Sequence, residues 1–261
     1  MATTRIDWAD KVWNPITGCT PISPGCAHCY AARFAKRLAG RCGYPKRHPF
    51  RVTFHPDHLE DPLHWRKPQT VFVCSMGDLF HADVSIAWQE SVYETMRLCP
   101  RHRFLVLTKR ASVMRDRVFN YAEQHHVLEN VWHGVSVSMR DEAESRIPYL
   151  LKTPSAGKFV SVEPMLGPVN VTRFVGRFDG LSWVVCGGET GPSARHIDAT
   201  WVASLRLQCW EADIPFWFKQ RNRHGDDILD TLDGPRTYKQ TPWGDKSETD
   251  GAKLRARIEC P

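Results

Sequence analysis

Phe104-Leu105-Val106-Leu107-Thr108 is a short apolar, β-rich run, and Lys109 and Arg110 follow it directly. Runs of this kind recur at Thr70 to Ser75 (TVFVCS), Val131 to Ser138 (VWHGVSVS), Lys158 to Val162 (KFVSV), Leu181 to Cys186 (LSWVVC) and Ile214 to Phe218 (IPFWF). Lys11 to Ile16 reads as an earlier strand, interrupted by Pro15. The segments between are helical in period. Tyr30, Phe34 and Leu38 fall on one face of a helix, Arg33, Lys36 and Arg37 occupy another, and Gly40 ends it. Further stripes appear at Val92 and Met96, at Met114, Val118 and Tyr121, and at Trp201, Leu205 and Cys209, all read as core faces. Strands alternating with helices predict parallel pairing through crossover helices. The expected fold is α/β, an incomplete (βα) barrel of about six to seven parallel strands over residues 1–220. Residues 221–261 lose the periodicity and read as a loop-rich extension.

The 261 residues, 42% hydrophobic and 25% charged, suffice for one large core. Met1 to Trp13 carries Arg5, Asp7, Asp10 and Lys11 and no apolar run, which predicts neither a secretory signal nor a membrane span. A soluble, cytoplasmic protein is expected. Nine cysteines in such a chain imply a reducing compartment. Cys42, Cys74, Cys99, Cys186, Cys209 and Cys260 stand singly and read as small hydrophobes. The net charge of +6 and the pI near 8.9 favour polyanionic partners only mildly.

Cys19, Cys26 and Cys29 stand apart from the rest. They fall within eleven residues, in a loop enforced by Gly18, Pro21, Pro24 and Gly25. Such a loop can wrap a soft metal centre, and three thiolates on a four-iron cube leave one iron without a protein ligand. If that iron bound S-adenosylmethionine (SAM), the cofactor would carry the radical step, and the protein would orient substrate and exclude water. The alternative is a zinc knuckle, with His28 or Cys42 completing a tetrahedral site.

Polar residues follow each expected strand at its C-terminal end, where barrel sites form. They are Ser75 and Asp78, then Thr108, Lys109 and Arg110, then Ser136 and Ser138. Glu163, the group Gly187, Gly188 and Glu189, and finally Lys219 and Gln220 complete the set. Each also has a purely structural reading, as a cap, a turn or a solvated helix start. Lys109, Arg110 and Lys219 converging on one mouth would suit an anionic substrate or the SAM carboxylate. Arg33, Lys36, Arg37, Arg41, Lys46, Arg47 and Arg51 form a dense basic stretch after the cysteine loop. It reads first as a solvated face and alternatively as a phosphate-tracking surface, with Tyr44, His48 and Phe50 available for stacking.

Taken together, these motifs resemble the phage Gp37/Gp68 family (DUF5131), which is itself similar to radical-SAM proteins. The resemblance rests on Asp7-Trp8, Trp13-Asn14-Pro15, the cysteine loop with Tyr30-Ala31, and Ser75 to His81. It continues through Leu107 to Arg110, Gly134 to Val137, Val160 to Pro164, Gly187 to Pro192 with Ala194-Arg195, and Phe216 to Gln220. It implies a radical-SAM-like partial barrel with a [4Fe-4S] cluster on Cys19, Cys26 and Cys29. It further implies SAM binding among Tyr30, Ser75, Asp78, Lys109, Ser136, Glu163, Gly187, Gly188, Glu189 and Lys219. The spacing C-x6-C-x2-C is longer than the C-x3-C-x2-C of most radical-SAM enzymes, and Arg221-Asn222 replaces the aromatic residue and glycine expected after Gln220.

The expectation is therefore a radical-SAM-like enzyme acting on nucleic acid, DNA before RNA, in repair or modification. It needs an electron donor and no membrane. Two competitors stand beside it: a nucleic-acid-binding protein with a structural zinc or iron-sulfur site, and an electron carrier without a substrate.

Overall fold

The computed structural model describes residues 6–176, 180–219 and 240–243. Its main sheet joins β1 (Lys11–Trp13), β4 (Thr70–Val73), β5 (Arg103–Thr108), β6 (Val131–Val137), β7 (Gly157–Val162), β8 (Trp183–Cys186) and β9 (Phe216–Phe218), in that order. Every pairing in it is parallel. The sheet curls into a half barrel, so the chain is the incomplete (βα) barrel its sequence pattern predicts. A second sheet pairs β2 (Ile16–Thr17) with β3 (Thr53–Phe54), antiparallel. The helices are α1 (Tyr30–Arg37), α2 (Ile86–Leu98), α3 (Ala111–His125), α4 (Arg140–Leu151) and α5 (Ala199–Glu211).

Strand alternation sorts the core into two layers. Phe104, Val106, Val135, Val160 and Val184 face the helices and pack with Met96, Met114, Ile147, Val202 and Leu205. Phe72, Leu105, Phe159, Trp183, Val185 and Trp217 fill the concave side with Trp8. This lumen is a packed core, and two glycines make room for its aromatics. In register, Gly134 faces Phe159 and Gly157 faces Trp132. A Cβ at Gly134 would stand 2.5 Å from the Phe159 ring, and one at Gly157 would stand 2.2 Å from the Trp132 ring.

Three expectations need correcting. The first strand ends at Trp13, because Asn14-Pro15 break the ladder and Ile16–Thr17 pair elsewhere. Helix α1 is rotated from the face its large residues suggest: Tyr30 and Phe34 are 40% and 42% exposed, while Ala31, Ala35 and Leu38 are buried against Tyr44 and Met76. Small alanines let the helix lie closely on that cluster. Cys42 is not a lone thiol; it is disulfide-bonded and packs beside the buried face of α1. Cys74, Cys99, Cys186 and Cys209 do behave as core hydrophobes, and burial pushes the thiols of Cys74 and Cys209 up to about 12.

Cys260, and the 221–261 extension apart from residues 240–243, lie outside the described residues. Trp243 meets Trp132 and Trp183 edge-on, at 5.5 and 5.3 Å between ring centroids, and Arg103 lies 4.3 Å over its ring. Among the described residues no helix is long and apolar enough to cross a membrane.

Gly134→Ala should destabilise the fold by about 1–3 kcal/mol through overpacking, and Phe159→Leu in the same chain should restore part of that loss. Thermal unfolding of both single variants and the double variant measures the coupling; strictly additive losses would contradict this packing.

Candidate functional site

A cavity of about 220 Å³ opens at the C-terminal ends of the strands, where the cysteine loop between β2 and α1 is laid over them. Backbone contacts fix the loop's entry. Gly18, at φ +91°, donates its N–H to Met76 O at 2.9 Å and bridges to Gly77. A side chain at Gly18 would place its Cβ 2.1 Å from Arg51 O, so only glycine serves there. Cys19 N then donates to Phe50 O at 3.1 Å. A turn at Pro24–Cys26 seats Gly25 on Ser138, where a Cβ would meet Ser138 Oγ at 2.3 Å. Cys29 stands at the head of α1.

Two guanidiniums tie this loop to the strand ends. Arg110, after β5, donates Nη1 to Asp78 Oδ2 at 2.9 Å and to Cys19 Sγ at 3.3 Å, and Nη2 to Thr20 O at 3.1 Å. Asp78 is held in turn by Thr108 Oγ1, at 2.7 and 2.9 Å, and by Phe80 N at 3.0 Å. Arg195 grips Glu189 through Nη2 at 2.5 Å and Nε at 3.0 Å, and reaches Pro24 O at 3.0 Å. His28 Nδ1 lies 2.8 Å from Glu189 Oε2, so the loop meets the end of β8 twice. Burial acts to raise the Glu189 carboxyl, but the bonds from Arg195 and His28 outweigh it and pull the group down to about 2.

A third carboxylate, Glu163, pairs with Lys219 Nζ at 3.2 Å and accepts from Ser161 Oγ at 3.0 Å. Asp78, Glu163 and Glu189 thus each face a cation. Lys109 differs: its Nζ donates at 2.7 Å to the neutral Ser136 Oγ, and among the described residues it forms no ion pair.

Cys19, Cys26 and Cys29 are all free, partly exposed, and on the lining of this one cavity. Their environments differ. Burial and Asp78 push the Cys19 thiol up against the opposing pull of Arg110. At Cys26 burial acts upward too, but hydrogen bonding at Ile22 and Ser23 and the Lys109 charge bring the thiol below its ordinary value. Cys74 also borders the cavity, with a buried thiol that stays protonated. No group of three or more His, Cys, Asp or Glu among the described residues meets the geometry of a single-ion site. What the trio offers is three soft donors lining one cavity, with Lys109 and Arg110 beside them to offset thiolate charge.

The structure brings nearly all the sequence-derived candidates together. Tyr30, Ser75, Asp78, Lys109, Ser136, Glu163, Gly188, Glu189 and Lys219 line the cavity with the cysteines. Gly187 does not; it lies behind Glu163, where a Cβ would stand 2.9 Å from Glu163 Oε1. Tyr30 reaches across to donate its hydroxyl to Ser75 O at 2.6 Å, and Gln220 falls outside the described residues. Sequence reasoning missed the apolar part of the lining, Ile6, Trp8, Phe72 and Leu107, and the anchoring role of Arg195. Strand parity was the available signal for Leu107, two residues before Lys109 on the same strand line. Arg195 stood in the motif Ala194-Arg195, but nothing local gave its anchoring role.

A family model described as "Protein of unknown function (DUF5131)" matches residues 3–253. No curated protein and no solved structure matches the chain.

Because the Glu189 carboxyl is depressed, its contribution to stability is present above the ordinary glutamate range and is lost as pH falls through about 4 towards about 2. Glu189→Gln should cost about 1–3 kcal/mol at pH 7, and denaturant unfolding should show the gap from the parent closing by pH 2 to 3. A pH-independent gap would exclude this ion pair as the cause. In metal-free protein at pH 7.5, iodoacetamide should alkylate Cys26 before Cys19, read by peptide mass spectrometry; the reverse order would contradict the site's electrostatics.

Proposed function

The chain belongs to the DUF5131 family, and from that premise we propose that it is a radical-SAM-like iron-sulfur enzyme. One observation carries the reading: three free thiols from a single loop open onto the same cavity at the C-terminal ends of half-barrel strands. Cys19, Cys26 and Cys29 would hold a [4Fe-4S] cluster with one iron left open to SAM. When bound, such a centre supplies one-electron reductive cleavage of the sulfonium, and the electron must come from an external donor.

The remaining work falls to the chain's own side chains. Arg110 and Lys109 screen the negative charge gathered by three thiolates. Lys109, without a carboxylate partner among the described residues, is the cation best placed to take the carboxylate of the cosubstrate. Glu163, held by Ser161 and Lys219, offers an acceptor for its ammonium group. Tyr30, Ser75, Asp78, Ser136, Gly188 and Glu189 complete the walls of the cofactor site. At about 220 Å³ the cavity falls below the ~300–1,000 Å³ of typical ligand pockets, so a bound cofactor would also occupy its open rim beside Thr20, Ile22 and Tyr30. Indole, phenyl and leucyl groups at Trp8, Phe72 and Leu107 would keep water from the floor.

The mildly basic chain supports nucleic acid as substrate, DNA before RNA, by analogy with radical-SAM photoproduct lyases that repair DNA.

Anaerobic reconstitution should load about four irons and four sulfides per chain. Reduction in the presence of SAM should then release 5′-deoxyadenosine. Cys26→Ala should lose the iron while its circular dichroism stays that of the folded barrel. One zinc per chain, or an intact cluster that never cleaves SAM, would overturn the proposal.

A further inference from the structure

Between Lys11 and Pro56 the sequence contains eight Lys or Arg and no Asp or Glu. The whole chain holds 35 basic and 29 acidic residues, so the remainder is net −2 and the entire positive excess lies in this one segment. It is also the segment that builds the cysteine loop, α1 and the loop returning to β3.

Three of the eight are engaged: Lys11 lies over the Trp65 ring, Arg37 over the Phe34 ring, and Arg33 donates to Thr190 O at 2.7 Å. Lys36, Arg37, Arg41, Lys46, Arg47 and Arg51 are exposed, and among the described residues none forms an ion pair. The returning loop brings two parts of this stretch together. The loop folds back so that Gly40, beyond α1, lies against Lys46, where a Cβ would stand 3.6 Å from Lys46 Cβ. Arg51 follows Phe50, whose carbonyl holds Cys19 N. Aromatic rings are interleaved with the charges. Phe34 and Tyr30 project from the exposed side of α1, Arg37 lies 5.6 Å over Phe34, and both Tyr30 and Phe50 belong to the cavity lining. The strip therefore runs into the site.

We infer that this strip, from Lys36 to Arg51, is a phosphate track that holds a single-stranded nucleic acid and presents one nucleotide to the cavity over Tyr30 and Phe50. The inference rests on the nucleic-acid reading above and assigns it a surface and a strand form. Unpaired cations on long lysine and arginine stems follow a phosphodiester chain, and exposed rings give its bases a stacking platform. A base inside a duplex is hidden from a cavity floor, whereas a single strand yields one without unpairing. Anionic lipid would meet the same charges, but a bilayer cannot reach a cavity set behind Tyr30 and Phe50.

Fluorescence anisotropy with a labelled 15-nucleotide single-stranded DNA tests this on the full chain. The same sequence as a duplex and phosphatidylglycerol vesicles serve as comparators. Lys46→Ala/Arg47→Ala/Arg51→Ala, three exposed side chains outside the cavity lining, should weaken single-strand binding at least tenfold. The slope of log affinity against log salt should shrink by about 2, because three fewer phosphates are neutralised. Lys152→Ala/Arg173→Ala, on exposed cations beyond the segment, should bind as the parent does. An unchanged affinity and slope in the triple variant would overturn the inference, as would tighter binding to duplex or to vesicles. Binding needs no cluster and iron content needs no strip. Iron assays on the same preparations therefore separate failure of this surface from failure of the iron-sulfur reading.

Discussion

Arg110 is the constraint on which the geometry of the site depends. Its guanidinium is nearly buried, and it bonds at once to the Asp78 carboxylate, the Cys19 sulfur and the Thr20 carbonyl. Asp78 belongs to the turn after β4, Arg110 to the end of β5, and Cys19 to the loop laid over both. One planar fork thus converts the position of two strand ends into the position of the first cysteine. Removing either partner of such a buried pair leaves a charge without compensation, at a cost of about 3–5 kcal/mol. Arg195 repeats the device on the opposite side, where Glu189 and Pro24 take the places of Asp78 and Thr20. Charge-assisted bonds thus fasten the loop at Thr20 and at Pro24, with Cys19 just before the first anchor and Cys26 and Cys29 just after the second.

The same strands grade the lumen from apolar to polar along their length. On β5 the inward positions run Leu105, Leu107, Lys109; on β7 they run Phe159, Ser161, Glu163; β9 and its exit give Trp217 and then Lys219. Alternation alone produces this, because every second residue of a parallel strand faces the lumen. The aromatic floor offers water few hydrogen-bonding partners, and apolar surroundings lower the effective dielectric beneath the carboxylates and cations above it. The Glu163–Lys219 and Asp78–Arg110 pairs therefore act at greater strength than exposed pairs would, and they stay in place without a ligand.

Much of this was legible in the residues. Short β-rich runs such as Phe104 to Thr108 announced the parallel sheet, since few other structures accommodate six of them spaced by helical stretches. The polar residue after each run announced the site, because parallel strands bring all their C-terminal ends to one rim. Alternation hid two things. Tyr30 and Phe34 looked like a core stripe by size and spacing, yet the helix buries Ala31 and Ala35, since tertiary contact with Tyr44 and Met76 favours close approach over large side chains. Arg195 was unreadable as an anchor because its partners, Glu189 and Pro24, are brought to it by the loop's path and by no periodicity.

The correction at α1 alters the electrostatics as well as the packing. Had Tyr30 and Phe34 pointed inward, Lys36 and Arg37 would have formed an ordinary solvated face, separated from the site by a layer of core. Instead the rings share the outer surface with the cations, and Tyr30 closes back onto Ser75 at the cavity edge. Within the cavity the carboxylates are already matched by cations, so its field is nearly balanced apart from Lys109. Outside it the strip carries cations alone. An anionic ligand would meet the uncompensated field at the rim first, and only its end would reach the balanced interior. A polymer satisfies that order of encounter better than a small anion, which would gain little by leaving the strip.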